Sequence, residues 1–370
     1  MSEVTQDFIV IGAGIIGLAT AVRLLTEGAT VTILEKNKVG QESSWAGGGI
    51  LSPLCPWDYP DAVTRLTDYS AAMFPAWVAE LCEATGIDAE YEASGMLVLP
   101  PYHAEAAHKW RISHAAEVEQ NAFSECFSRN KQNIPLHFNV ENALFLPHIA
   151  QVRNPRLLYA LHKLAVQLGG RIIEHCEVYE IITQHNRLDV LATSCGKYRA
   201  DHFVITAGAW SKQVLGKHAF SLDIKPMRGQ MLLYKFAEPP LRSILLQRDV
   251  YLIPRRDGYL LAGSTMEDVG FNKQVTLAAR EYLSERAQGL LPQLKNMPLI
   301  NHWAGLRPAS PQNIPTIGRH PLLNNLFINS GHFRYGVTMA PGSVRILLNE
   351  IMGRPQPFDI GPYQQGWGDY

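Results

Sequence analysis

A glycine-rich turn near the N-terminus has the residue types and spacing needed to bind a dinucleotide. Gly12, Gly14 and Gly17 form the pattern G-x-G-x-x-G. The first glycine permits a tight turn, the second lets the backbone approach a pyrophosphate, and the third lets a helix pack on a strand. Glu35 follows at the spacing of a carboxylate that binds ribose hydroxyls. The pattern predicts a bound dinucleotide; a tight turn without a ligand is the alternative.

A second segment of small residues favours FAD over NAD as that dinucleotide. Residues 40–50 read GQESSWAGGGI and follow Glu35 closely. NAD does not require such a segment, whereas a large isoalloxazine ring needs backbone within contact distance, which glycine allows. A flexible surface loop is the alternative, but Trp45 and Ile50 are unusual residues for a linker.

The elements that would position these residues form a βαβ unit. Residues 7–12 are a continuous apolar, β-branched run typical of a buried parallel strand. Residues 15–27 have helical spacing, and residues 30–35 form a second strand. Because such crossovers are right-handed, the two strands are predicted to be parallel.

Farther along the chain, the patterns predict a region richer in antiparallel strands. Helices are predicted over residues 103–121 and 155–168, the second beginning at Pro155. A strand, a loop and a helix are predicted over residues 326–351. Further strands are predicted at 95–99, 202–206, 229–236, 250–254 and 259–263, the last three as a meander. The turn Arg256-Asp257-Gly258 would join the last two as a hairpin.

Composition excludes several classes of protein. Apolar residues make up 46% of the 370, charged residues 18%, and the net charge is −1, so neither nucleic acid nor a membrane surface is an expected partner. The five cysteines are scattered and never spaced Cys-x-x-Cys, which favours a reducing compartment and no metal site. No apolar run is long enough for membrane insertion. We therefore expect a cytoplasmic protein.

Six segments resemble the D-amino-acid oxidase superfamily, and within it the glycine oxidases. They are GAGIIGLATAVRL, SSWAGGGIL, TAGAWS, WAGLRP, PTIGRHP and GHFRYGVTMAP, spread over nearly the whole chain. The last three are specific, because generic Rossmann flavoproteins do not share them. The resemblance implies an α/β fold with a Rossmann-like FAD-binding domain of the p-hydroxybenzoate hydroxylase type and a substrate domain with an antiparallel sheet. We place the first domain at residues 1–85, 149–222 and 305–370, and the second at 86–148 and 223–304.

The resemblance also implies an activity. Members oxidise an amine beside a carboxylate, so the expected substrate is glycine, sarcosine or a small D-amino acid, with oxygen as acceptor and hydrogen peroxide as product. A role in forming the thiazole of thiamine follows for the glycine oxidases. Two alternatives stay open: a dehydrogenase that passes electrons to a quinone or a protein, and a flavin binder without redox activity. A homo-oligomer is compatible with the sequence.

Site residues carry over from the same resemblance. Arg334 matches the arginine that binds the substrate carboxylate, Arg307 a second arginine of the substrate site, and Tyr251 the tyrosine over the flavin. Relatives that tether FAD covalently use a late cysteine, and none follows Cys195 here, so noncovalent FAD is expected. Together with the glycine motif, the expected FAD-contacting residues are Gly12, Gly14, Ile15, Ile16, Gly17, Glu35, Lys36, Ser43, Ser44, Gly48, Gly49, Ile50, Val178, Ala207, Gly208, His332, Phe333, Arg334, Tyr335, Gly336, Val337 and Thr338.

The chemistry of these side chains agrees with those roles and leaves alternatives. The planar guanidinium of Arg334 can bind a carboxylate bidentately, although a surface ion pair is the alternative. Arg307 lies in an apolar block and needs an anion or several carbonyls, or else a structural ion pair. Tyr251 could equally be a core tyrosine. The chain has Asp249 and Ile50 where bacterial glycine oxidases can carry histidine and methionine, which leaves the preferred amine open.

Overall fold

The structure, a computed structural model, describes residues 6–113, 119–120 and 143–367. The strands described there are β1 Gln6–Ile11, β2 Val31–Leu34, β3 Met96–Leu99, β4 Glu119–Gln120, β5 Leu144–Leu146, β6 Arg171–Ile173, β7 Val178–Gln184, β8 Arg187–Thr193, β9 Gly196–Tyr198, β10 Ala200–Ile205, β11 Lys225–Lys235, β12 Ile244–Gln247, β13 Val250–Pro254, β14 Tyr259–Gly263, β15 Leu299–Ala309, β16 Thr316–Arg319 and β17 Leu326–Ser330. The α-helices are α1 Ile15–Thr26, α2 Ser43–Ala46, α3 Asp61–Thr85, α4 Ala104–Ser113, α5 Asn154–Gln167, α6 Ser211–Leu215, α7 Leu277–Leu290, α8 Gly336–Met352 and α9 Gly361–Gln364.

A six-stranded sheet is built around the first strand of the chain. Its order is β16-β17-β10-β1-β2-β6, and all neighbours are parallel except β16 and β17. Strand β1 is buried on both faces. Helices α1, α3, α5 and α8 pack on one face of the sheet, and a second hydrophobic core covers the other face, which explains why β1 is apolar. The predicted βαβ unit and the α/β fold class are confirmed.

The second large sheet has eight strands. Its order is β15-β11-β14-β13-β12-β3-β5-β4, antiparallel except where β12 pairs with β3. Alternation along β13 sends Leu252 toward helix α7, whereas Tyr251 and Ile253 face the opposite side. That opposite side is the one on which the six-stranded sheet presents its glycine-rich segment, since a Cβ on Gly48 would lie 2.6 Å from the Ile253 side chain.

Most predicted elements exist, and two expectations are wrong. The predicted helix 103–121 ends at Ser113, and Glu119–Gln120 form a strand against β5, with residues 114–118 outside the described residues. Only Ala107 of α4 is buried, so little packing supports a longer helix. Strand β11 pairs with β14 and β15 rather than with β13, so it is not part of a simple meander. The domain boundaries remain predictions, and the one at residues 304–305 falls inside β15.

Two further observations concern the described residues alone. No helix there is both long and apolar enough to cross a membrane. Nor do the residues that the structure places contain a group of three or more His, Cys, Asp or Glu side chains arranged for a metal ion.

Helix α1 depends on the absence of a side chain at Gly17. A Cβ there would lie 1.8 Å from the carbonyl oxygen of Gly12 and 2.6 Å from Thr206 Oγ1. We expect Gly17→Ala to destabilise the fold by about 1–3 kcal/mol, because the Gly12 backbone must move and the Thr206 hydroxyl must be displaced. Gly289→Ala is the control: its Cβ would contact nothing within 4 Å, and helical alanine should be neutral or stabilising. Thermal unfolding of both variants gives the test, and a Gly17→Ala melting temperature equal to that of the wild type would contradict the packing argument.

Candidate active site

A cavity of about 400 Å³ lies at the carboxyl ends of the parallel strands. Its lining includes Gly12 after β1, Glu35 after β2, Thr206 after β10 and Ser330 at the end of β17. Ligands of open α/β sheets bind at this edge. From there the cavity reaches Tyr251 on the eight-stranded sheet, so it connects the two sheets.

Nearly all residues expected at the site line this cavity. The exceptions are Gly17 and Thr338. Gly17 packs α1 against β1, as the third glycine of the motif was expected to do. Thr338 donates a hydrogen bond from Oγ1 to the carbonyl of Ile50 (3.0 Å) and so holds the segment that does line it. Of the two departures from the glycine oxidase pattern, Ile50 lines the cavity, whereas Asp249 is exposed and accepts a hydrogen bond from Tyr282.

The N-terminus of α1 opens into the cavity without an anionic cap. Gly14 is the N-cap residue, no side chain caps the helix from that position, and the first turn contains no acid. Ser44 Oγ accepts the N–H of Ile15 at 3.0 Å. Gly12 adopts φ +106°, and a Cβ there would lie 2.7 Å from the Thr206 carbonyl oxygen. An uncapped helix N-terminus approached only by backbone and a hydroxyl is suited to a pyrophosphate.

The Glu35 carboxylate accepts two backbone hydrogen bonds and can still accept more. Its carboxylate accepts the N–H of Ala13 at Oε2 (2.7 Å) and that of Asn37 at Oε1 (2.9 Å). Burial raises the pKa of Glu35, and the two backbone N–H groups partly offset that rise. Each carboxylate oxygen keeps a further lone pair, which a ribose hydroxyl could occupy.

Two side chains that sequence patterns did not reveal hold the glycine-rich segment in place. Asn154 Nδ2 donates to the carbonyls of Ser44 (2.9 Å) and Gly47 (3.0 Å). Arg255 donates to the carbonyl of Gly48 (2.6 Å), and burial lowers the pKa of this arginine to about 10. Both contacts join residues more than 100 positions apart, so no local spacing could indicate them.

The structure brings together the two arginines expected at the substrate and the tyrosine expected over the flavin. Tyr251, Arg307 and Arg334 all line the cavity. Within the residues that the structure places, Arg334 has neither a hydrogen-bond partner nor an ion-pair partner, so the alternative of a surface ion pair is wrong for this structure. Burial lowers the pKa of Arg334, but its interactions with Tyr335, Tyr59 and Tyr251 outweigh that effect and leave the pKa raised. Its guanidinium is a charged, preorganised donor group available to an anion.

Arg307 is held by neutral groups and not by a carboxylate. Its Nη1 donates to the carbonyl of Thr265 (3.0 Å) and its Nη2 to Ser264 Oγ (2.7 Å). Burial lowers the pKa of Arg307, and the nearby charge of Arg334 lowers it further. Two arginines at one end of a buried cavity repel each other, and an anionic ligand between them would relieve that repulsion.

The part of the cavity lining nearest the C-terminus, residues 332–337, includes a second helix N-terminus without a side-chain cap. Gly336 and Val337 begin α8, whose N-cap is Tyr335 and whose first turn contains no acid. His332 is 2% exposed, its Nε2 has no hydrogen-bond partner among the described residues, and burial lowers its pKa to about 3. The neutral imidazole and the helix N-terminus favour negative charge on a polar ring system bound beside them. An unsatisfied buried nitrogen, two open helix ends and the glycine cradle fit FAD.

Comparisons with known proteins give the same assignment. The profile of the DAO family, described as FAD dependent oxidoreductase, matches residues 7–349. Glycine oxidase from Pseudomonas aeruginosa is 39% identical over 361 residues, 97% of this chain and 98% of that protein. The bifunctional protein ThiO/ThiG from Trichormus variabilis is 30% identical over 352 residues, 94% of this chain and 53% of that protein. The crystal structure of glycine oxidase from Geobacillus kaustophilus superposes with a TM-score of 0.88 at 26% identity, covering 97% of this chain and 98% of that one.

The family match covers most of the chain and includes both the glycine turn and the Arg334 segment. The dinucleotide, the fold class and the enzyme class expected from the sequence are thereby confirmed. This chain belongs to the DAO family of FAD-dependent oxidoreductases, and FAD is its cofactor.

Proposed function

We propose that the protein catalyses the oxidative deamination of glycine and of similarly small amines such as sarcosine or small D-amino acids. Oxygen would be the acceptor and hydrogen peroxide a product. The observation that carries the proposal is the Arg334 guanidinium, which has no hydrogen-bond or ion-pair partner among the described residues and lies in a buried cavity beside Arg307 and Tyr251. The relative from Pseudomonas aeruginosa named glycine oxidase, similar over nearly the whole chain, supports glycine as the substrate.

The proposed roles of the side chains follow from their positions. Arg334 binds the substrate carboxylate through its guanidinium fork, and the cavity-facing N–H groups of Arg307 add a second contact. Tyr251, 7% exposed and next to Gly48, limits how the substrate can lie and keeps water from the reacting carbon. The chemistry that bound FAD would supply is acceptance of a hydride from the substrate Cα. Burial lowers the pKa of His332 to about 3, so it is a poor proton acceptor near neutral pH, and hydride transfer from a neutral amine would not require one.

The other expected FAD contacts are proposed in the same way. The amides of α1 would bind the pyrophosphate, Glu35 the ribose, and the Ser43–Ile50 segment with the start of α8 the ring system. The division into an FAD-binding and a substrate domain at the boundaries given above is likewise a proposal. We further propose that the imine product serves thiazole formation in thiamine biosynthesis, supported by the sequence resemblance and by the similarity to ThiO/ThiG.

Glycine should bleach the flavin absorbance of the purified protein under anaerobic conditions, and air should restore it with release of peroxide. The panel should include sarcosine, N-ethylglycine, D-alanine, D-proline and bulkier D-amino acids. We expect the small carboxylates to bleach the flavin best, because the cavity with its two arginines admits them best. Bleaching by the panel without peroxide, but with reduction of a dye, would favour the dehydrogenase. Absence of bleaching by every amino acid would refute the proposed reaction.

Glu35→Ala should weaken FAD binding more than it slows turnover of the FAD-loaded enzyme. A charged acceptor lost from the ribose contact should cost about 1.5–3 kcal/mol, or roughly ten- to hundredfold in affinity. Glu174→Ala is the matched control, because Glu174 also accepts a backbone N–H, that of Val39 at 2.7 Å, but does not line the cavity. FAD released by acid and rebound to apoprotein provides the measurement. Equal affinity in both variants would remove Glu35 from the FAD site.

Arg334→Ala should leave FAD bound and reduce kcat/KM for glycine by about 2–5 kcal/mol in transition-state free energy, because the charged partner of a buried carboxylate is lost. Arg334→Lys should recover only part, since a point charge cannot replace the fork. Arg354→Ala, which removes an exposed arginine paired with Glu27, should have little effect. Nearly full activity of Arg334→Ala would mean that the carboxylate is bound elsewhere, with Arg307 the leading candidate.

A further inference from the structure

The guanidinium of Arg307 occupies a narrow space between strand β11 and the segment that follows β14. A Cβ on Gly229 would lie 2.1 Å from Arg307 Nη1 and 2.2 Å from its Nη2, so the group lies directly on the β11 backbone. On its other side are the Thr265 carbonyl (3.0 Å) and the Ser264 hydroxyl (2.7 Å). The orientation of Arg307 therefore depends on where residues 264 and 265 are held.

The carboxylate of Glu267, together with backbone hydrogen bonds to β11, holds this segment. Its Oε1 accepts hydrogen bonds from Thr265 Oγ1 (2.6 Å) and Gln230 Nε2 (2.8 Å), and its Oε2 accepts one from Arg228 Nη2 (2.5 Å). The backbones of Arg228 and Glu267 also exchange two hydrogen bonds of 2.9 Å. Arg228 is 4% exposed, so this ion pair is largely shielded from water. Glu267 thus ties residues 265–267 to strand β11.

Strand β11 also forms the other side of the space that the Arg307 guanidinium occupies. Gly229 lies between Arg228 and Gln230, the two residues that bind Glu267. Thr265 Oγ1 also accepts the backbone N–H of Gln230 (2.9 Å). Glu267 thus links the two sides of the space around the Arg307 guanidinium. Arg307 donates two of its five N–H groups to Ser264 and Thr265, and this fixes the orientation of the other three.

We propose that Glu267 is a positioning residue of the substrate site, acting through Thr265 on Arg307. Glu267 itself does not line the cavity, and Ser264 and Thr265 do not either. Its carboxylate accepts the Thr265 hydroxyl and so holds the Thr265 backbone, whose carbonyl accepts the Arg307 guanidinium that would meet the substrate carboxylate. The inference rests on the proposed function, because it takes Arg307 to contact that carboxylate.

Glu267→Gln in the FAD-loaded enzyme tests this inference, with acetate as a carboxylate probe that cannot be oxidised. We expect acetate, followed by its perturbation of the flavin spectrum, to bind about tenfold more weakly, and KM for glycine to rise by a similar factor with a smaller change in kcat. Glu27→Gln, which breaks the Glu27–Arg354 ion pair on the surface, is the control and should match the wild type.

A double variant separates positioning from general stability. If Glu267 acts through Arg307, Glu267→Gln should change acetate affinity little once Arg307→Ala is present. Thr265→Val, which removes the hydroxyl link while keeping the backbone, should reproduce the Glu267→Gln effect, and Thr265→Ser should restore wild-type affinity. This pair decides the matter even if Glu267→Gln fails to fold.

Two results would overturn the inference in different ways. Wild-type acetate affinity in both Glu267→Gln and Thr265→Val, or an undiminished effect of Glu267→Gln in the Arg307→Ala background, would refute positioning and leave the proposed function intact. A wild-type enzyme that binds acetate and oxidises glycine separates that outcome from failure of the proposed function. If the wild-type enzyme neither bound acetate nor oxidised glycine, both the proposed function and this inference would be refuted.

Discussion

The backbone of Gly12 approaches both the first turn of α1 and the end of β10 so closely that no side chain fits between them. This contact fixes the direction of α1, because a Cβ on Gly17 would overlap the Gly12 carbonyl. The uncapped amides of the helix consequently face the carboxyl edge of the sheet, where Glu35 already binds the N–H of Ala13. The cofactor cavity exists because three backbone segments meet at van der Waals distance at this point.

A second constraint links that edge to the eight-stranded sheet. The Ser43–Ile50 segment receives hydrogen bonds from Asn154 on one side and Arg255 on the other. Arg255 is 6% exposed, and its donors satisfy backbone carbonyls that would otherwise be buried without partners. Because Asn154 at the start of α5 and Arg255 just after β13 hold the segment, Gly48 lies in a fixed position against Tyr251 and Ile253. The cavity is therefore one continuous space with a polar edge and an arginine-containing end.

Charge is distributed along this space in a way that suits an acidic substrate and a cofactor that gains negative charge. Arg334 and Arg307 lie at one end with no carboxylate partner among the described residues, and the N-terminus of α8 opens beside them. His332 stays neutral there because burial lowers its pKa to about 3. Glu35, the buried acid of the lining, follows β2 at the carboxyl edge of the six-stranded sheet, where we propose that it binds the ribose. Burial strengthens each of these interactions, because little water is present to screen them.

Local spacing of residue types was enough to predict several parts of this protein. The glycine motif, the apolar run of β1 and the acid at the end of β2 specify the βαβ unit, since strand and helix periodicity and positive φ are properties of neighbouring residues. The strand Leu326–Ser330 and the helix after it were predicted for the same reason, and with them the position of Arg334. Similarity to a known family supplied the roles of Tyr251 and Arg307, which their local patterns left ambiguous.

The distant residues that hold those groups in place become apparent only in the folded chain. Asn154 and Arg255 reach the glycine-rich segment across 110 and 207 positions, and Arg228 on β11 reaches Glu267 across 39 positions. The pairing of β11 with β14 and the early end of α4 at Ser113 also depend on which surfaces are available for packing. Such contacts leave no periodic signal, because their partners become neighbours only after the chain has folded.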